Sequence, residues 1–157
     1  MPTTKEYLIR ALEEHKDEVV IRVCNRLQKF SFSHYETICF EQHQERERQF
    51  LDVIITQLQN EQSDCLASYL EQLVDLRGNE GYSLKEVEEA FDMVEDTLWL
   101  VLSRYWPLEQ SLLEGLSILR KLFQEIKNSL GELFLRDVLM MQRFENIRRK
   151  FDEYRNE

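Results

Sequence analysis

A chain of 157 residues, 43% apolar and 32% charged, is long enough for one domain with a real core and has the composition of a folded protein. Its net charge of −10 argues against non-specific binding to nucleic acid or to an anionic membrane, because phosphates are repelled overall. Four Gly, two Pro and few β-branched runs predict an all-α fold, a helical bundle of about five or six helices with a long C-terminal one.

The first helix is expected to begin at Thr3 or Thr4, where Thr3 and Glu6 have capping-box spacing. Its apolar positions are Leu8, Leu12, Val19, Val23, Leu27 and Phe30, one or two turns apart. The segment Ser31-Phe32-Ser33-His34-Tyr35 has the local hydrogen-bonding residues of a break. A second helix is expected over about 43–60, with Phe50, Ile54 and Leu58 facing inward and a polar, exposed start from Gln42 to Gln49. Ser63-Asp64 offers the next N-cap, followed by the stripe Leu66, Tyr69, Leu70, Leu73 and Val74. Gly78 is the expected stop, because glycine enters the left-handed conformation that a C-terminal cap needs, and Gly81 permits a second sharp turn. Ser83 and Glu86 then form a capping box, with Tyr82 and Val87 placed for a hydrophobic staple.

From Leu84 the apolar positions Leu84, Val87, Phe91, Val94, Leu98, Val101 and Tyr105 alternate steps of three and four residues. That repeat marks a helix packed lengthwise against a neighbour. Trp106-Pro107 ends it, since the residue before proline is pushed out of the helical region. The last segment keeps the same alternation through Phe123, Ile126, Leu130, Leu133, Asp137, Met140, Phe144, Ile147, Phe151 and Tyr154. A helix from near Leu108 to the end would be about 70 Å long at 1.5 Å per residue. A domain of this size is about half that length, so either Gly131 bends the helix or its end projects. The expected organisation is a bundle over residues 1–135 and a helical extension over 136–157, within one domain or as a signalling helix.

Cys24, Cys39 and Cys65 are widely spaced and odd in number, which suits reduced, mostly buried thiols in a cytoplasmic protein. Lys5, Glu6, Arg10, Glu13 and Glu14 interrupt any secretory signal. Apolar runs such as Leu98 to Leu102 fall far short of the roughly 20 residues that span a bilayer, so no membrane insertion is expected.

Chemistry-bearing patterns are sparse. His43 and Glu47 share a helical face, but no His lies three residues after a Glu, as a di-iron bundle requires; both read as solvated surface, and no metal is expected. No His follows residue 43, which argues against a haem ligand in the second half of the chain. His15 sits among Glu13, Glu14, Asp17 and Glu18, which would repel a phosphate, so phosphotransfer is disfavoured. No nucleophile elbow, phosphate loop or zinc-protease motif occurs, and the chain reads as non-enzymatic with no cofactor. Phe91, Trp99, Tyr105 and Trp106 are the candidates for lining a small-molecule pocket, the alternative to a role in association.

The strongest functional signal is the end of the chain. Met140, Phe144, Ile147, Phe151 and Tyr154 form the candidate interaction stripe, and the positions beside it are Arg136, Arg143, Arg148, Lys150 and Arg155. In a parallel homodimer Arg143 would face Arg148 of the other chain, so the stripe wants an acidic neighbour or an antiparallel arrangement with offset charges. Glu88 and Glu95 of the preceding helix offer such acids, so the stripe packs within the bundle, awaits a partner, or does both along its length.

The segment from about Tyr7 to Asp137 resembles the N-terminal domain of the RsbRD family, the bacterial stressosome co-antagonists of the RsbT kinase. The likeness centres on Leu73-Val74-Asp75-Leu76-Arg77-Gly78-Asn79-Glu80-Gly81-Tyr82-Ser83-Leu84-Lys85-Glu86-Val87, with a second stretch from Leu12 to Val20. The resemblance implies a globin-like helical bundle without haem that acts as a sensory input module in stress-response signal transduction. It also implies a homodimer, with a kinase, phosphatase or STAS-type signalling partner. In that family the last helix leads into an output domain, whereas this sequence stops at Glu157. A stand-alone regulator and part of a longer protein are both open expectations. Together these readings predict a non-catalytic regulatory module acting through helix-mediated association.

Overall fold

The computed structural model describes residues 2–107 and 109–156, and among these all regular structure is helical. Among the described residues five α-helices follow in order: α1 Thr4–Gln28, α2 Phe40–Gln59, α3 Cys65–Asn79, α4 Leu84–Tyr105 and α5 Glu109–Arg155. A short 3-10 turn, His34–Thr37, joins the first two. The expected start of the last helix near Leu108 lies outside the described residues.

Local chemistry sets the boundaries. Thr3 Oγ1 accepts from the Glu6 amide at 3.1 Å while the Glu6 carboxylate accepts from the Thr3 amide at 2.8 Å, closing the expected box. Ser83 and Glu86 do the same at the start of α4, at 3.1 and 3.2 Å. Glu86 reaches further and accepts from the His34 amide at 2.8 Å, which ties the 3-10 turn to the first turn of α4.

Two boundaries differ from the sequence reading. The second helix begins at Phe40, earlier than expected. The third runs through Gly78 to Asn79, and the left-handed residue is Gly81, at φ +88°. The Gly81 amide donates to the Gly78 carbonyl at 3.1 Å and the Tyr82 amide to the Arg77 carbonyl at 2.9 Å. This paired closure past a left-handed glycine satisfies the last carbonyls, so the left-handed cap falls three residues beyond Gly78 and the helix ends at Asn79. At the start of α3, Asp64 occupies the cap position without a side-chain bond, and the Cys65 amide donates to Ser63 Oγ instead.

The core is one continuous cluster built from every helix. Helix α1 packs against α2 and α4, and α5 packs against α4, α3 and α1. The stripe of α4 faces inward from Val87 to Val101, while Tyr105 at its end is exposed. Ion pairs Lys16–Asp52 and Lys127–Asp92 join α1 to α2 and α4 to α5. Trp106, extended at ψ 127° before Pro107, donates from Nε1 to Ser111 Oγ. Its ring lies so close to Gly115 that a Cβ there would sit 2.9 Å from it. The turn between α4 and α5 is thus closed by an aromatic ring over a bare backbone.

Candidate association surface on the terminal helix

Helix α5 carries a single apolar stripe with two environments. Leu119, Phe123, Ile126 and Leu130 are completely buried against the bundle, and Leu133 and Phe134 are partly buried. Beyond them the exposure of the large apolar side chains is 49 to 80% at Leu135, Val138, Leu139, Met140, Met141, Phe144, Ile147, Phe151 and Tyr154. The helix crosses Gly131 without a break, so it projects beyond the bundle by about 30 Å at 1.5 Å per residue from 135 onward. Every expected interaction residue, Met140, Phe144, Ile147, Phe151 and Tyr154, lies on this projection. The stripe is therefore core along its first half and uncovered along its second.

Charge follows the same division. Glu95 of α4 is partly buried and one carboxylate oxygen has no partner; burial raises its pKa, and Lys127 and Arg120 of α5 pull it back. Among the described residues the ion pairs end, in chain order, at Lys127. Among the described residues Arg136, Arg143, Arg148, Lys150 and Arg155 beside the exposed seam thus have no carboxylate partner within 4 Å.

The aromatic residues considered for a pocket have different neighbours. Phe91 meets Phe50 edge-on at 4.8 Å inside the bundle. Tyr105 stacks on His15 at 4.1 Å, and Trp106 leans against Tyr7 at 6.1 Å. Trp99 is partly buried, with its ring nitrogen unpartnered.

A second polar constellation lies inside the bundle, where the sequence reading placed exposed surface. His43 is buried, and its Nε2 lies 2.8 Å from the Tyr35 carbonyl, which fixes the tautomer with the proton on that nitrogen. Burial lowers its pKa, and the carbonyl bond opposes that shift. One turn on, Glu47 lines a cavity of about 20 Å³ with Tyr35, Phe50, Tyr69, Leu73 and Phe91, room for about one water. Burial pushes its carboxyl up to about 7, and Arg77 and Arg46 pull it back. Arg77 is itself buried: its guanidinium lies 5.4 Å from the centre of the Tyr82 ring and 3.6 Å from Glu80. Burial also raises the phenols of Tyr35 and Tyr69. His43 and Glu47 continue the Phe50, Ile54, Leu58 stripe backward at helical spacing, and that was the available signal. Among the described residues no set of three His, Cys, Asp or Glu stands together as metal ligands.

The cysteines are all free. Only Cys24 is buried, which pushes its thiol up to about 12; Cys65 is partly buried and Cys39 exposed, so the expectation of mostly buried thiols fails. No helix among the described residues is long and apolar enough to cross a membrane. No protein family, curated protein or solved structure was found to match the chain.

Proposed function

We propose that this chain is a non-catalytic regulatory module that works through helix-mediated association, with the bundle as the input body and the projecting half of α5 as the contact element. The observation that carries the reading is the uncovered stripe from Leu135 to Tyr154. Contiguous apolar surface of this extent is costly in water and marks an interaction site. Its alternation of three- and four-residue steps is the pattern by which one helix receives another. The resemblance of the Leu73 to Val87 segment to stressosome sensory domains supports a signalling role and partners of kinase, phosphatase or STAS type.

Sedimentation of the full chain over a concentration series tests this reading. Concentration-dependent self-association or uptake of an added amphipathic helix is expected, and either should disappear in a Phe144→Glu/Ile147→Glu variant whose helical content is unchanged. Both side chains are exposed, so the bundle has no reason to unfold. If full chain and variant stay monomeric at every concentration, and neither takes up any added helix, the module does not work by association.

A further inference from the structure

We propose that the preferred occupant of the exposed α5 seam is an acidic amphipathic helix from a different protein, laid lengthwise along Met140, Phe144, Ile147, Phe151 and Tyr154. This deepens the association reading and rests on it. The argument is one of charge and register. From 135 to 156 the chain carries six basic and four acidic side chains, although the whole chain is at −10. The positions immediately beside the seam are more one-sided: Arg136, Arg143 and Lys150 on one edge, Met141, Arg148 and Arg155 on the other. The acids Glu145, Asp152 and Glu153 lie on the outer face, away from those edges.

Each way of pairing the seam with its own copy sets like against like. A parallel pair brings Arg143 against Arg148 and Lys150 against Arg155. It also places Asp137, which sits in the apolar register, beside its own copy within the seam. An antiparallel pair brings each edge to itself, so Arg136, Arg143 and Lys150 meet only one another. Edge charges choose between partners, and these edges disfavour a second copy while suiting a helix flanked by Glu or Asp. A membrane surface fits less well. The seam beyond Met141 is narrow, acids share the outer face, and the acidic bundle would be repelled by anionic lipid.

Salt separates the possibilities, because screening weakens opposite-charge pairing and relieves like-charge repulsion. The probes are two synthetic three-heptad helices with the same Leu/Ile seam, one with Glu at all edge positions and one with Lys. Binding to the full chain is followed by fluorescence anisotropy at two salt concentrations. The Glu-edged helix is expected to bind at least about tenfold more tightly, with affinity falling as salt rises, since several edge pairs each contribute a fraction of a kcal/mol. In an Arg143→Glu/Arg148→Glu/Lys150→Glu variant the preference should invert, while the apolar seam is untouched.

Equal binding of the two probes would overturn the proposal. So would a homodimer of the full chain more stable at low salt than the Glu-edged complex, with association itself still standing. Sedimentation of the full chain with anionic phosphatidylglycerol vesicles in preference to the Glu-edged helix would also overturn it. No binding of either probe by a strictly monomeric chain would remove the association reading as well.

Discussion

Replacing Glu47 with Gln should make the protein more resistant to rising pH. The side chain keeps its shape and polarity in the cavity beside Tyr35 and Tyr69 but can no longer ionise. In the unfolded chain the carboxyl titrates near 4.5, and in the fold it is pushed up to about 7 by burial, against the pull of Arg77 and Arg46. Below the unfolded value both states are protonated, and the contribution to stability is fully present. As pH rises past it the unfolded chain releases its proton first, and stability falls until the folded carboxyl ionises as well. With about 1.4 kcal/mol per unit, the carboxyl costs the fold about 2 to 3 kcal/mol between about pH 5 and pH 8.

Glu18, Glu61 and Glu86, all lowered, and His43, also lowered, slope the other way. None of these shifts involves Glu47, so they cancel when variant and parent are compared. Urea unfolding followed by far-ultraviolet circular dichroism at several pH values gives that difference directly. The advantage of Glu47→Gln should grow by about 2 kcal/mol or more from the acid end to the alkaline end. A difference flat to within about 0.5 kcal/mol would mean that water reaches the carboxylate freely and that the cavity does not hold it neutral.

Two further substitutions test the division of α5. Phe123→Ala empties a completely buried site and should cost about 3 to 5 kcal/mol in urea unfolding, whereas Phe151→Ala should stay within about 0.5 kcal/mol. Comparable costs would show that the projecting half packs on the bundle. Gly131→Ala should stabilise by up to about 1 kcal/mol, because a Cβ there meets nothing within 4 Å and the helix runs straight through. A lower melting temperature would instead reveal a bend or a close approach at Gly131.

The helical class, both capping boxes and the α4 stripe were legible because each is written in residues three or four apart. The interior polar cluster was not. His43 and Glu47 stand among Gln42, Gln44, Glu45, Arg46, Arg48 and Gln49, and local polarity reads as surface. What covers His43 and half-covers Glu47 is supplied from elsewhere: the Tyr35 carbonyl from the 3-10 turn and Arg77 from α3. A cation at a helix end is ordinarily read as a partner of the helix dipole, and nothing local to Arg77 says that it turns inward. The left-handed cap of α3 was misplaced by three residues for a related reason. Gly78 and Gly81 both permit a left-handed turn, and the choice falls on the one whose following residue, Tyr82, is buried among His34, Tyr35 and Arg77. On α5 the period was plain, but where cover ends is set by the length of the neighbouring helices, which the stripe itself does not encode.

The unbroken run of α5 has a mechanical consequence. Leu130, sealed in the core, and Tyr154, out in water, belong to one rod without a hinge. Tilting that rod by about ten degrees at its root swings its tip about 5 Å. Anything that grips the tip therefore exerts torque on Phe123 and Ile126, and any repacking around those side chains is magnified at the far end.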